Sequence, residues 1–102
     1  MQIPLNDSLI MHATCVDING SGVLIVGRSG SGKSSLAINL IALGSTLVAD
    51  DQCEIVKKNN KLSVFKPTSL PSSIEIRGVG LVSAPMVVET SLDWVVNMDE
   101  AE

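Results

Sequence analysis

Between Gly27 and Ser34 the chain reads Gly-Arg-Ser-Gly-Ser-Gly-Lys-Ser, the spacing G-x-x-x-x-G-K-[ST]. Gly27, Gly30 and Gly32 let backbone turn tightly and bring N–H groups close to phosphate oxygens. Arg28, Ser29, Ser31 and Ser35 complete and flank the turn. Lys33 adds a point charge for the terminal phosphates, and Ser34 offers a hydroxyl of the kind that binds Mg²⁺. A helix beginning here would aim its positive end at the same anion. These features converge on one ligand class, a nucleotide polyphosphate with Mg²⁺.

Such a loop needs a strand before it and a helix after it. Val23 to Val26 is an apolar run that reads as a buried strand, and Leu36 to Leu43 is a helix-forming run that Gly44 can stop. Upstream, Met11 to Ile18 is compatible with a strand, and Asn19-Gly20-Ser21-Gly22 makes a turn into Val23, giving a hairpin that feeds the loop. Downstream, Thr46 to Ala49 is a short strand ending in Asp50-Asp51. Connection rules make it parallel to the strand at Val23, so both end on one edge of the sheet.

Carboxylates at that edge lie where open α/β sheets bind ligands. Asp50 or Asp51 can hold Mg²⁺ through water or take a proton from an attacking hydroxyl, whereas in a purely structural role the pair caps the strand end. His12 is the only histidine, and in isolation a strand histidine is more often a packed or hydrogen-bonded residue than a catalyst. Glu75 and Arg77 flank Ile76 and face one way from a strand, an arrangement that also suits an exposed ion pair.

The remaining segments frame this centre. Cys53–Lys57 and Leu62–Lys66 read as an antiparallel hairpin joined by Lys58-Asn59-Asn60-Lys61, and Pro67 and Pro71 bracket a loop. Ile74 to Val82 reads as one short strand broken by glycines, and Val87 to Val96 fits strand or helix. No charged residue stands between Lys33 and Asp50, so the helix is expected to be covered on more than one side.

The 102 residues suit a single domain over 1–102, and 45% hydrophobic against 18% charged residues excludes disorder and favours an oligomer. A net charge of −4, with Phe65 and Trp94 the only aromatic residues, argues against nucleic acid as a partner. Asp93, Asp99, Glu100 and Glu102 form an acidic tail, read as a solvated end. Cys15 and Cys53 read as buried free thiols in a reducing compartment. No run approaches a membrane span and no secretory leader is evident, so a cytoplasmic protein is expected.

The chain resembles the HPr kinase/phosphorylase family in its C-terminal catalytic domain. The matching pieces are His12, Val23-Leu24-Ile25-Val26-Gly27 with Gly30 and Gly32-Lys33-Ser34, Leu47-Val48-Ala49-Asp50-Asp51, and Ile74-Glu75-Ile76-Arg77-Gly78-Val79-Gly80. The resemblance implies a mixed α/β sheet with a βαβ unit around the phosphate loop. It further implies an ATP- and Mg²⁺-dependent kinase that phosphorylates a serine of the phosphocarrier HPr, reversed by phosphorolysis, in a homo-oligomer that is hexameric in the family. By position, Asp50 resembles the general base. Lys33 and His12 resemble active-site residues, Ser34 and Glu75 the Mg²⁺ ligands, with Asp51 a further metal candidate. Ala13, Arg28 and Ser35 depart from the family pattern, and the chain looks shortened at its C-terminal end. Two other readings stay open, a small-molecule P-loop kinase and a regulatory module that senses nucleotide without transfer.

Overall fold

A computed structural model describes residues 8–28, 30–67, 73–76, 80–83 and 86–100. The described residues form nine strands and one α-helix: β1 (Ser8–Met11), β2 (Thr14–Ile18), β3 (Ser21–Val26), α1 (Lys33–Ala42), β4 (Thr46–Ala49), β5 (Cys53–Lys58), β6 (Lys61–Phe65), β7 (Ser73–Ile76), β8 (Gly80–Ser83) and β9 (Glu89–Asn97). A short 3₁₀ turn, Met98–Glu100, follows β9. Seven strands form a curled mixed sheet in the order β1-β5-β6-β9-β3-β2-β4, and β7 pairs with β8 separately.

Local chemistry explains the hairpins. Asn19 and Gly20 have φ of 52° and 91°, and Asn59 and Asn60 have 53° and 63°. Two successive left-handed residues are what a two-residue type I′ turn requires, and Asn and Gly reach that region at the least cost. The second connection is therefore two residues long, not the four expected, and β5 and β6 each extend by one residue into it. The segment read as one glycine-broken strand is instead the β7–β8 hairpin, with Glu75 opposite Leu81.

The expected strand from Met11 to Ile18 is interrupted at His12 and Ala13, and the break organises the sheet. Met11 pairs with Cys53 and Cys15 with Ala49, so the β1–β5 and β2–β4 ladders keep one antiparallel register across the gap. Ala13 N–H donates to Asp51 O at 3.2 Å inside it. One ladder thus bends at residues 12–13 and 50–52, and its two arms lie at opposite ends of the strand order. β4 runs parallel to β3, as expected, but β2 lies between them, antiparallel to both.

Parallel pairing of β3 with β9 settles the segment that fitted either strand or helix: nine β residues, with Val26 opposite Asn97. The core has two parts. Cys15, Leu24, Val48, Cys53, Ile55 and Val64 fill one face, while Val16, Val23, Ile25, Leu47 and Ala37 form the other, beneath α1. The helix starts at Lys33, three residues before the apolar run that predicted it. It ends in a Schellman closure, with Ser45 N–H on Leu40 O, Gly44 N–H on Ile41 O and Gly44 at φ 111°. α1 meets β2, β3 and β4 of the sheet and also the later strand β7, while Ser35, Asn39, Ala42 and, just past its end, Leu43 are exposed.

Candidate functional site

The β3–loop–α1 unit builds the first half of the site. Gly27, Gly30 and Gly32 have φ of 147°, 85° and 100°, conformations that side-chain-bearing residues adopt at a penalty. A Cβ on Gly27 would lie 2.7 Å from Ser31 Oγ, so the turn also has no room for one. Gly32 serves as N-cap of α1 without a side-chain hydrogen bond to the first turn, which leaves those N–H groups to an external acceptor. Lys33 is 8% exposed, and its Nζ donates to Gly27 O at 2.7 Å and Arg28 O at 3.0 Å, closing the loop on itself. Ser29 lies outside the described residues.

The bend in the long ladder supplies the other half. Thr14 stands opposite Asp50 in the register carried across the gap, and its Oγ1 donates to Asp50 Oδ1 at 2.9 Å. Ser34, in the first turn of α1, donates its hydroxyl to the same oxygen at 3.2 Å. Asp51 has φ 78°, a left-handed conformation uncommon for residues other than glycine. His12 Nδ1 lies 3.2 Å from Asp51 Oδ1, with both side chains at least half exposed. The two consecutive carboxylates therefore serve different neighbours: Asp50 is tied to the loop serine, and Asp51 to the histidine.

Glu75 lies on β7, a strand near α1, and its side chain is outside the described residues, as is all of Arg77. Ser35 is in α1 and exposed. Two contributors were missed in the sequence. Thr14 was placed in a strand without a role, and only the register reveals it as the partner of Asp50. Asp99, assigned to a solvated tail, accepts Arg28 N–H with both carboxylate oxygens at 3.2 and 3.1 Å.

Ser31 tests whether the loop fits a phosphate ligand. Its Oγ is buried without a hydrogen-bond partner, inside a turn whose glycines leave no Cβ in the way. A buried hydroxyl left unpaired costs about 1–3 kcal/mol, and a phosphate oxygen would satisfy it. Among the described residues no cluster of three or more His, Cys, Asp or Glu forms a protein cage for a metal.

A curled mixed sheet with a glycine-rich turn between its β3 strand and a single helix defines the α/β class of this chain. The family model of the HPr serine kinase C-terminal domain matches residues 4–90. The chain belongs to that family. The HPr kinase/phosphorylase of Alkaliphilus metalliredigens is 35% identical over 104 residues, covering 94% of this chain and 34% of the relative. That of Shouchella clausii is 46% identical over 74 residues, covering 72% and 24%. Among solved structures, the Hpr(Ser) kinase/phosphatase of Coxiella burnetii superposes with a TM-score of 0.79 at 30% identity, over 87% of this chain and 58% of that one. The chain thus spans about a quarter to a third of the length of these two relatives. Among the described residues no helix is long and apolar enough to cross a membrane.

Proposed function

We propose that this chain binds ATP with Mg²⁺ and carries the phosphoryl-transfer centre of a kinase acting on a serine of the protein HPr, in the cytoplasm. The observation that carries the reading is the pair of contacts at the ladder bend, Ser34 to Asp50 and His12 to Asp51, set beside a glycine loop with an unpaired buried hydroxyl. Backbone N–H groups of the loop and the first turn of α1 bind the phosphates. Lys33, freed from the Gly27 and Arg28 carbonyls, turns its charge to the transferring group. Ser34 and Glu75 are the candidate ligands that would hold Mg²⁺, with Asp50 fixing the Ser34 hydroxyl, and the ion would neutralise charge on the phosphate oxygens.

For proton transfer the geometry favours Asp51 over Asp50. Asp50 already accepts from Ser34 and Thr14, whereas Asp51 is exposed with His12 beside it. In the forward step the serine oxygen forms the new O–P bond as the bond to the leaving β,γ-bridging oxygen breaks, and Asp51 takes the serine proton with His12 holding its carboxylate in place. Phosphorolysis runs the same proton back.

Calorimetry with MgATP, followed by transfer to purified HPr, tests the reading. Wild type should bind, and Lys33→Ala should lose at least on the order of tenfold in affinity, since the ammonium makes charge-assisted contacts to phosphate. Equal affinity in the two proteins would refute the loop assignment. Binding without transfer would favour the nucleotide-sensing module. Self-association belongs to the same proposal, supported by the bare side of α1 and the exposed Trp94, Val95 and Val96 of β9.

A further inference from the structure

The C-terminal end of β9 meets the phosphate loop, and neither the loop's sequence pattern nor the family match to residues 4–90 accounts for that contact. Parallel register brings it about. Val26 and Asn97 are the last paired residues of β3 and β9, so the residues that follow each strand, Gly27 and Arg28 against Met98 and Asp99, run on side by side. Asn97 Oδ1 accepts Asp99 N–H at 2.9 Å and turns the chain over the loop. Asp99 then grips one residue twice, taking the Arg28 amide with both oxygens and facing Arg28 Nε at 3.6 Å. Met98 fills the space beside two loop glycines: a Cβ on Gly27 would meet its Cβ at 3.1 Å, and one on Gly32 its Cε at 3.5 Å.

We propose that Asp99 is a positioning residue for the phosphate loop, holding the Arg28 amide so that the first turn is formed before any anion arrives. Besides the turn's own bond from Ser31 N–H to Arg28 O at 3.1 Å, two side-chain ties hold it. Lys33 Nζ binds the carbonyl oxygens of Gly27 and Arg28, and Asp99 binds the amide of Arg28 from the other side. An incoming polyphosphate claims the Lys33 ammonium and so removes the first tie. The second makes no demand on the anion's ligands and persists. Fixing a residue's backbone costs conformational entropy, and a loop held in advance does not charge that cost to binding.

The inference rests on the phosphate-loop reading for its effect on affinity, but not for the contact itself. Charge and hydrogen bonding pull in opposite directions here: deleting a carboxylate near an anion site strengthens anion binding, whereas loosening the loop weakens it. Asp99→Asn keeps an acceptor oxygen for the Arg28 amide and drops the charge. Asp99→Ala drops both. Asp93→Asn removes the same charge from an exposed position farther back on β9.

Amide hydrogen exchange on nucleotide-free protein and calorimetry with MgATP read the two effects separately. In Asp99→Ala, exchange at Arg28 should accelerate and the Kd for MgATP should rise, each on the order of tenfold, the loss of one hydrogen bond to a charged acceptor. Asp99→Asn should restore both close to wild type, and Asp93→Asn should move neither. Unchanged Arg28 exchange in Asp99→Ala overturns the inference, and so does tighter MgATP binding in both Asp99 variants. If wild type binds no nucleotide, the nucleotide reading fails by itself, and Arg28 exchange still decides whether Asp99 positions the loop.

Discussion

Asp50 and Asp51 are neighbours in sequence with different environments, and that difference decides which substitution stops chemistry. In Asp51→Asn the proton acceptor beside His12 is gone while the loop is untouched. Transfer should fall on the order of a hundredfold or more with MgATP affinity little changed. Asp50→Asn keeps an oxygen for Thr14 and Ser34 but removes charge where the metal is expected, so it should weaken nucleotide binding in Mg²⁺ more than in chelator. The reverse pattern, with transfer lost and affinity intact in Asp50→Asn alone, would return the base to Asp50, the position the family resemblance assigns. The two cysteines stand outside this chemistry. Burial, with Asp17 nearby, pushes the Cys15 thiol up to about 12, and burial with Cys15 and Asp50 nearby raises Cys53 further. Both stay protonated and unreactive at neutral pH.

Elements place these residues, and glycine decides how closely two of them approach. Gly22, in β3, lies so near β9 that a Cβ there would collide with the Ser91 carbonyl oxygen and the Thr90 methyl, beside the point where the parallel register shifts. Gly22→Ala must push β9 away from β3 and should destabilise by about 1–3 kcal/mol, seen as a lower urea midpoint at unchanged slope. A midpoint equal to wild type would mean the strands have slack the geometry denies. Sequence could reveal the loop, its strand and its helix because these are contiguous and carry their own turn and period signals. It could not reveal β2 between β3 and β4, or Thr14 opposite Asp50, because strand order and register depend on residues tens of positions apart. The β7–β8 hairpin was misread for a related reason, since glycines between apolar residues signal a break without saying whether the chain reverses. Asp99 was hidden because acidic residues near a terminus are ordinarily solvated, and only β9 beside β3 brings this one to the loop.

At the scale of the whole molecule, apolar surface remains to be covered. Beyond Ser91, β9 pairs on the β3 side alone among the described strands, and Trp94 and Val95 are 66% and 55% exposed. Trp94 is the only tryptophan, so its fluorescence reports this surface directly. If copies associate here, acrylamide quenching should increase on dilution as light scattering falls toward the monomer mass. Monomer mass at every concentration, with quenching unchanged, would rule this interface out. The bent ladder has another consequence, in terms of error. Side chains alternate faces along a strand, so a pairing slip of one residue would move Asp50 away from Thr14 and Asp51 away from His12. A sheet closed in the wrong register could still look folded from outside, yet neither carboxylate would have its partner. The centre works only in chains whose pairing of residues 8–17 with 46–56 is correct to the residue, which makes activity a proofreader of the fold.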